Sequence, residues 1–261
     1  MKRTRITPNA EAFPQALRSL VRENPVFDSS CSSEARVFYI ENGSGLFLKR
    51  APKGDLEREA LLTRYFHGKG LAANVVSYLS EECDWLLTER VKGEDCTHEE
   101  YLKNPTRLCD LYAQILRDLH ETSAQDCPVL NRMDAYFTLA EKNYLAGQSD
   151  LSFFRPACEK VTVEDAWRLV EKNRDFFQND TLLHGDFCLP NVMLDNWRFS
   201  GFIDLGNAGV GDRHVDLFWG AWTLAFNLGT DAYRNRFFDA YGRDRIELEK
   251  IEIISAAEVF G

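Results

Sequence analysis

The spacing of apolar residues changes near residue 91 and divides the chain into two regions. Before that point, short runs of β-favouring residues alternate with turn residues, and the runs 37–40 and 46–49 flank the stretch "ENGSG", which predicts a hairpin. After it, apolar residues recur mostly at helical spacing. We therefore expect an α+β chain, with a small β-rich lobe over residues 1–91 and a larger helical lobe over residues 92–261.

Other elements are predicted from the same periodicities. Runs at 75–79 and 85–88 predict a second hairpin, and "PTRLCDLYAQILRDLHETS" predicts an amphipathic helix opened by Pro105. The segment 182–206 is typical of a strand, a loop and a strand, and the tryptophan-rich run 217–226 is predicted to be buried core. Further helices are predicted near residues 132–146, 163–177, 213–228, 230–241 and 246–259.

Composition excludes some classes of function. The 261 residues include 41 acidic and 31 basic side chains, a formal net charge of -10, so neither nucleic acid nor an anionic membrane surface is an expected partner. A cationic small molecule suits this balance better. The most apolar late segment, "LFWGAWTLAFNLG", is shorter than the roughly 20 residues that span a bilayer.

The seven cysteines indicate a reducing compartment. They are scattered and odd in number, and they form no C-x-x-C pair or Cys/His group with zinc spacing. The N-terminal stretch "MKRTRITPNAEAFPQ" has basic residues but no apolar core of a secretory signal. We expect reduced thiols in a cytoplasmic protein.

The polar residues of "HGDFCLPNVMLDNWRFSGFIDLG" carry the chemistry. Asp186 is followed by Asn191 and then by Asp204. Magnesium prefers oxygen ligands and is usually held by one or two carboxylates together with nucleotide phosphates, so Asn191 and Asp204 are candidate metal ligands. Asp186 could then accept the proton of a substrate hydroxyl or hold that hydroxyl in line with a phosphoryl group. The alternative is that these residues only form turns.

An early lysine completes this set. Lys49 ends a predicted strand and could bridge nucleotide phosphates if a helical carboxylate fixes its orientation. The stretch "GDLEREALLTRYFHGKG" predicts that helix, with Asp55 as N-cap and Gly68 near its end. Glu59 on this helix is the candidate partner, with Glu57 as its competitor. Together these residues indicate a phosphoryl-transfer site near the junction of the lobes, a favoured position for a ligand cleft.

The segment 182–217 resembles the catalytic segment of the aminoglycoside phosphotransferases, which are relatives of the protein kinases, and is most similar to the 3′-phosphotransferase branch. Weaker similarities run along the chain: "RITP", "LFLKRA", "LERE", "YAQILRDLHETSAQDCP" and "FFDAYG". The resemblance implies a two-lobe, protein-kinase-like fold. It also implies ATP, or GTP, as phosphoryl donor and Mg²⁺ as cofactor.

For the nucleotide, the resemblance implies that Lys49 contacts phosphates and that Glu59 holds Lys49. The ring of Phe47 would lie against adenine, and the backbone of Arg90 and Val91 would make the hinge hydrogen bonds. The segment that covers the phosphates would be "SSCSSEARVF", which has no G-x-G-x-x-G. There, Ser32 and Ser33 are the candidates, because a serine-rich turn offers backbone N–H groups and hydroxyls.

For the reaction, the resemblance implies that Asp186 is the catalytic base or hydroxyl-orienting group and that Asn191 and Asp204 bind magnesium. Asp216 would brace the backbone of the catalytic loop from a helix. His184 is expected to support that loop rather than to react.

For the acceptor, the resemblance implies that Glu258 and Phe260 help enclose an aminoglycoside. Asp150 and Glu159, in the loop near residues 148–160, are further candidates. This loop also contains Arg155 and Lys160, which dilute its acidity.

These observations predict an ATP-dependent O-phosphotransferase that acts on an aminoglycoside hydroxyl, most simply the 3′-hydroxyl, and so confers resistance as a monomer or weak dimer. A second hypothesis keeps the chemistry but makes the acceptor choline, homoserine or a sugar metabolite. It is motivated by the altered loop at 148–160 and by Asn207, which stands where the 3′ branch commonly has arginine. A third is a catalytically silent ligand-binding protein on the same scaffold.

Overall fold

A computed structural model describes residues 3–30, 35–153 and 161–261. Its contacts divide the chain into two compact units, each made of two segments. Unit 1 contains Met1–Cys96 and Pro190–Gly206, and unit 2 contains Thr97–Leu189 and Asn207–Gly261. This division differs from the sequence-based boundary after residue 91, because a late hairpin groups with the early part of the chain.

The main sheet of unit 1 is antiparallel and has six strands in the order β1-β2-β3-β4-β6-β5. The two predicted hairpins are confirmed: β3 pairs with β4, and β5 with β6. Two short N-terminal strands and a short helix, α1, were not predicted. The elements are β1 (Thr4–Ile6), α1 (Arg18–Glu23), β2 (Val26–Asp28), β3 (Arg36–Ile40), β4 (Leu46–Pro52), α2 (Glu57–Gly68), β5 (Val75–Ser80) and β6 (Cys83–Glu89).

The main sheet is apolar on both faces, each packed against a different helix. Leu48 of β4 belongs to a buried cluster with Leu17 and Val21 from the N-terminal helical turns. A second cluster joins Ala51 and Leu86 of the sheet to Ala60 of α2. Because side chains alternate along a strand, Lys49 points away from Leu48 and towards the α2 face.

A second, smaller sheet explains how the unit boundary arises. It contains β7 (Glu94–Asp95), β9 (Val192–Asp195) and β10 (Arg198–Phe202) in the order β10-β9-β7. Strand β7 pairs with β9, which attaches the late hairpin to the segment just after residue 91. Sequence periodicity cannot detect such a pairing, since it joins strands almost 100 positions apart.

Unit 2 is mainly helical, and the long amphipathic helix opened by Pro105 is confirmed. Strands β8 (Thr181–Leu183) and β11 (Gly209–Gly211) form a two-stranded antiparallel ribbon. Several helices are shorter than predicted because their last turns are 3-10, as at Arg174–Phe176 and Glu258–Phe260. The helices are α3 (Glu99–Leu102), α4 (Pro105–Glu121), α5 (Arg132–Leu145), α6 (Val163–Asn173), α7 (His214–Leu228), α8 (Arg234–Tyr241) and α9 (Leu248–Ala257).

The prediction that Asp55 caps α2 is wrong. The N-cap position is Leu56, and its side chain makes no capping hydrogen bond. Instead, the buried carboxylate of Asp84 accepts hydrogen bonds from the backbone N–H groups of Gly54 and Leu56 at 2.9 and 3.0 Å. A carboxylate from a neighbouring strand therefore does what a local cap would do.

The tryptophan-rich run is only partly core, which corrects the prediction. Leu217, Phe218 and Leu224 of α7 are buried, but Trp222 is half-buried and Phe226 is 71% exposed. Trp222 and Phe226 stack with their ring centroids 5.0 Å apart. Across the described ranges, α7 included, every helix is too short or too polar to cross a membrane.

Five of the seven cysteines lie in the described residues, and their reduced state in the cell stays a prediction. Cys83, Cys96, Cys109, Cys127 and Cys188 all carry free thiols.

Candidate active site

In unit 1, Lys49 lies between two carboxylates. Its Nζ is 2.7 Å from Oε2 of Glu59 and 2.9 Å from Oδ1 of Asp204. Strand β4 supplies the lysine, helix α2 supplies Glu59, and the turn after β10 supplies Asp204. The structure thus brings together three of the residues that the sequence selected, and it chooses Glu59 over Glu57 as the lysine's partner.

The charges of this cluster depend on one another. Burial opposes the positive charge of Lys49, but the two carboxylates outweigh it and raise the pKa of the ammonium group. Lys49 is therefore protonated at every physiological pH. Burial raises the pKa of Glu59, and the negative charge of Asp204 adds to that rise while Lys49 opposes it. The cluster has two carboxylates but only one ammonium group, so its charge favours a further cation. Asp204 is the accessible carboxylate, since its side chain is 51% exposed.

The backbone places Asp204 and Asn191 at the same end of one hairpin. Val192 pairs with Phe202, and one position beyond this pair the N–H of Ile203 donates to the carbonyl oxygen of Asn191 at 3.0 Å. Asp204 then adopts φ +59°, in the left-handed region that non-glycine residues rarely occupy. Strain of this kind is typical of functional sites.

In unit 2, the loop of residues 184–189, which carries Asp186, is held through its backbone. Buried Asp216 of α7 accepts hydrogen bonds from the N–H groups of His184 at 2.8 Å and Gly185 at 2.7 Å, so its predicted bracing role is confirmed. Gly185 has φ +81°, and a Cβ there would lie 1.9 Å from the carbonyl oxygen of Asn207. Only glycine fits at this position.

Other side chains hold the remainder of the 184–189 loop. The hydroxyl of Tyr112 donates to the carbonyl oxygen of Phe187 at 2.7 Å, and Thr223 accepts from the N–H of Leu189 at 3.2 Å. His184 is fully buried, and its Nδ1 accepts from the N–H of Asp186 at 3.3 Å, as expected of a supporting residue. The backbone around Asp186 is therefore fixed from several directions, a form of preorganisation.

Near the C-terminus, Glu258 is a buried acid with polar neighbours. Its Oε1 accepts hydrogen bonds from the hydroxyl of Tyr136 at 2.6 Å and from Nε1 of Trp219 at 3.0 Å. Burial raises the pKa of Glu258 to about 7; these hydrogen bonds oppose the rise, and the negative charge of Asp186 adds to it. Glu258 therefore changes its charge near neutral pH.

A buried arginine, Arg132, is hydrogen-bonded to Asn207, the residue that stands where the 3′ branch commonly has arginine. Nε of Arg132 donates to the carbonyl oxygen of Asn207 at 2.9 Å, and Nη2 donates to its side-chain oxygen at 3.2 Å. Arg132 comes from α5, and its charge opposes the rise that burial causes in the pKa of Glu258. Asn207 thus anchors a cation instead of supplying one.

Comparison with known proteins identifies the family. The model of the phosphotransferase enzyme family matches residues 31–251 of this chain. The chain belongs to this phosphotransferase family. The match includes Lys49, Glu59, Asp186, Asn191 and Asp204, and it shows that the chain is a phosphotransferase enzyme.

Curated relatives of this family member include aminoglycoside 3′-phosphotransferases. One from Lactococcus lactis subsp. lactis, named as probable, is 50% identical over 254 residues, which cover 97% of each chain. One from Niallia circulans is 31% identical over 226 residues, covering 82% of this chain and 84% of the relative. The resemblance stated from the sequence is confirmed.

Solved structures confirm the fold. An aminoglycoside 3′-phosphotransferase of type VIII superimposes with a TM-score of 0.77 at 24% identity, covering 95% of this chain and 100% of that one. The aminoglycoside phosphotransferase APH(3″)-Id from Streptomyces rimosus gives a TM-score of 0.71 at 22% identity, covering 94% and 98%. The predicted α+β, protein-kinase-like fold class of this phosphotransferase is therefore correct.

The remaining nucleotide-site predictions fall within unit 1 of the phosphotransferase. Phe47 is half-buried on the same face of β4 as Lys49; its ring centroid is 5.3 Å from that of Tyr39 and 5.6 Å from the guanidinium carbon of Arg3. The N–H of Arg90 donates to the carbonyl oxygen of Gly45 at 3.0 Å, and Val91 is buried. The roles of Phe47, Arg90 and Val91 towards adenine stay predictions.

The residues predicted to bind the acceptor differ in their exposure to solvent. Asp150 is exposed, and its N–H donates to the carbonyl oxygen of Val259 at 2.7 Å, one residue from Glu258. Phe260 is 1% exposed and packs edge-on against Trp167 and Tyr144, so its placement is that of a core residue. Contact of either residue with an acceptor stays a prediction. Ser32, Ser33 and Glu159 lie outside the described residues.

Sequence reasoning missed several residues that hold the site in place. Tyr112 and Thr223 bond to the 184–189 loop, Arg132 bonds to Asn207, and Tyr136 bonds to Glu258. Tyr112 and Thr223 were seen only as parts of apolar helices, and Arg132 and Tyr136 were not selected at all. Their partners lie 75 or more positions away in three of the four cases, so no local pattern announces them. A polar residue inside a strongly apolar helical stripe, such as Thr223 in α7, is the only signal that the sequence offers.

Proposed function

We propose that this protein transfers the γ-phosphoryl group of ATP to the 3′-hydroxyl of an aminoglycoside. The observation that carries the proposal is the Lys49 ammonium group held between Glu59 and Asp204, in a chain 50% identical to a probable aminoglycoside 3′-phosphotransferase. A fixed, permanently charged lysine beside an exposed carboxylate suits a metal-bound triphosphate.

For the nucleotide donor, Lys49 neutralises the charge of the phosphates, and Glu59 fixes the direction of the Lys49 side chain. Phe47 packs against the adenine ring, while backbone groups at Arg90 and Val91 form hydrogen bonds with its edge. These five residues all lie in the first 91 residues, which we assign as the nucleotide-binding lobe, with residues 92–261 as the catalytic and acceptor-binding lobe. Ser32 and Ser33 complete the phosphate contacts in this proposal.

The residues present fit a magnesium ion. Asn191 and Asp204 offer an amide and a carboxylate oxygen from the same end of one hairpin, and Mg²⁺ takes oxygen ligands, usually with only one or two carboxylates from protein. When bound, Mg²⁺ supplies positive charge to the phosphate oxygens. Lys49 supplies a second positive charge next to the same carboxylate.

For the acceptor, Asp186 orients the hydroxyl and takes its proton as the phosphoryl group moves. The loop backbone donates hydrogen bonds to Asp216 and Thr223 and accepts one from Tyr112. These bonds support the role of Asp186, because most of the acceleration in phosphoryl transfer comes from positioning and electrostatics. Transfer is direct, with no covalent intermediate on the enzyme.

The acidic balance of the chain supports a polycationic acceptor. Glu258, Asp150 and Glu159 are the proposed contacts for its ammonium groups, and Phe260 is proposed to help enclose the aminoglycoside. The net charge of -10 adds a long-range attraction. We further propose that the protein works in the cytoplasm, where ATP is available, as a monomer or weak dimer, and that the natural consequence is antibiotic resistance.

An acceptor panel tests the proposal. Purified protein with ATP and MgCl₂ is assayed for ADP release against aminoglycosides with and without a 3′-hydroxyl, and against choline, homoserine and simple sugars. We expect turnover only with the 3′-hydroxylated aminoglycosides, and NMR of the product should place phosphorus on that oxygen. Turnover with choline, homoserine or a sugar, and with no aminoglycoside, would show that the acceptor is that alcohol. ATP binding without transfer to any acceptor would establish a silent binding protein.

A further inference from the structure

A chain of buried polar side chains lies behind the 184–189 loop in unit 2. Nε2 of His120, on α4, is 3.2 Å from Oδ2 of Asp216, and Nδ1 of His120 is 2.8 Å from the hydroxyl oxygen of Tyr241, on α8. The side chains of His120 and Asp216 are 1% and 0% exposed. Tyr241 is also fully buried. Three helices thus contribute to one hydrogen-bonded series that ends at the loop.

The direction of every hydrogen bond in the series follows from its end at Asp216. That carboxylate already accepts two backbone N–H groups, so it acts as an acceptor and Nε2 of His120 must donate to it. Nδ1 of a neutral His120 then accepts, and the hydroxyl of Tyr241 donates. Burial lowers the pKa of His120 and raises that of Tyr241 to about 12, which keeps both in these forms.

Each link restricts the next. If the carboxylate of Asp216 accepted hydrogen bonds only from the two adjacent amides of the loop, it could turn about its side-chain bonds as those amides moved. The third hydrogen bond, from His120 on α4, fixes the plane of the carboxylate. Tyr241 fixes the imidazole ring in the same way. The restraint acts at Gly185, which has φ +81° and no side chain with which to hold its own conformation.

We propose that His120, oriented by Tyr241, is a positioning residue for phosphoryl transfer. It fixes the carboxylate of Asp216, and through Asp216 it fixes the backbone of His184 and Gly185, the two residues before Asp186. The catalytic consequence rests on the proposed function, since it requires Asp186 to act on the acceptor hydroxyl. The positioning itself does not depend on that function and can be measured separately.

The chain offers a matched control. His214 is also buried and pairs with a buried aspartate, Asp212, but its other ring nitrogen accepts from the N–H of Glu247 at 3.0 Å. Asp212 accepts from the N–H of Gln178 and lies 3.3 Å from Nζ of Lys250. A substitution at His214 therefore disturbs a histidine–aspartate pair of the same kind that serves the α7–α9 region.

The first experiment measures exchange of backbone amide hydrogens in His120→Leu, His120→Gln, Tyr241→Phe and His214→Gln. The glutamine at 120 can still donate to Asp216, whereas leucine cannot, and Tyr241→Phe keeps the aromatic packing. We expect exchange at His184 and Gly185 to rise about tenfold or more in His120→Leu and Tyr241→Phe, with a smaller rise in His120→Gln. Exchange there should match the wild type in His214→Gln. Equal exchange in all variants would overturn the positioning role.

The second experiment measures steady-state kinetics in the same variants. We expect kcat to fall about tenfold or more in His120→Leu, to recover partly in His120→Gln, and KM for ATP to change less than twofold, because a displaced loop harms the reaction more than nucleotide binding. Equal losses of kcat in His120→Leu and His214→Gln would show a stability effect only and reject the proposal. Absence of turnover in the wild type would instead reject the proposed function, and the exchange result would still decide on positioning.

Discussion

Nζ of Lys49 lies 2.9 Å from Oδ1 of Asp204, although 155 positions separate the two residues in the sequence. Strand β4 supplies the lysine and the turn after β10 supplies the aspartate, both within unit 1. This ion pair links the early and late parts of the proposed nucleotide site. It also provides the first test of that site.

We predict that Lys49→Met weakens ATP binding and turnover. Removing the ammonium group leaves phosphate charge without its partner and leaves buried Glu59 to take up a proton, so kcat/KM should fall by about 10²-fold or more. The measurement is kinetics together with calorimetric binding of ATP and Mg²⁺. Lys53→Met, at an exposed position in the turn after β4, is the control and should bind ATP as the wild type does. Unchanged ATP affinity in Lys49→Met would contradict the assignment.

We predict that Asp186→Asn folds normally but loses turnover. The amide keeps the size and a hydrogen-bonding oxygen but cannot take a proton, so kcat should fall by about 10²–10⁴-fold. Thermal unfolding should change little, since the loop is held mainly through its backbone. Asp195→Asn, at a half-buried aspartate paired with exposed Lys92, should retain kcat. Near-normal turnover in Asp186→Asn would remove Asp186 from the mechanism.

We predict that Glu258 makes the folded state less stable as pH rises. The pKa of Glu258 is raised from 4.5 to about 7, so between these values the folded chain binds its proton more tightly than the unfolded chain does. Its stabilising contribution is complete below pH 4.5 and is lost as pH rises through 7, an effect of roughly 3 kcal/mol at 1.4 kcal/mol per pKa unit.

Urea unfolding of the wild type and Glu258→Gln at pH 5 and pH 8 measures this loss. Glutamine resembles the protonated acid, so the variant should gain stability relative to the wild type as pH increases. Other groups titrate equally in both chains and cancel in the comparison. Parallel pH profiles would mean that Glu258 has an ordinary pKa.

We predict that Gly185→Ala damages the loop far more than Gly229→Ala damages the end of α7. Both glycines have positive φ, +81° and +65°, but a Cβ at Gly185 meets the carbonyl of Asn207 at 1.9 Å, whereas one at Gly229 meets open space. We expect a loss above about 2 kcal/mol at Gly185, against about 1 kcal/mol at Gly229 from backbone strain alone. Denaturant unfolding compares the two. Similar losses would show that the steric contact at Gly185 is relieved cheaply.

The sequence determined the local elements and the identities of the reacting groups. Period-2 and helical patterns predicted both main hairpins of unit 1 and most helices of unit 2, because each element buries one face and the spacing of apolar residues reports that face. Asp186, Asn191 and Asp204 lie within one short segment, so their spacing could be read from the sequence and indicated phosphoryl transfer. The prediction that Asp55 caps α2 was wrong, because Asp84 on β6 accepts the hydrogen bonds of the backbone N–H groups there.

Only the tertiary structure decided which distant groups meet. It added Asp204 to the expected pairing of Lys49 with Glu59, placed His120 beside the bracing residue Asp216, and moved the β9–β10 hairpin into unit 1. These outcomes depend on packing and hydrogen bonds between residues far apart in the chain, which leave no periodic signal in the sequence. Local pattern therefore determines what each segment is, and long-range packing determines what it acts with.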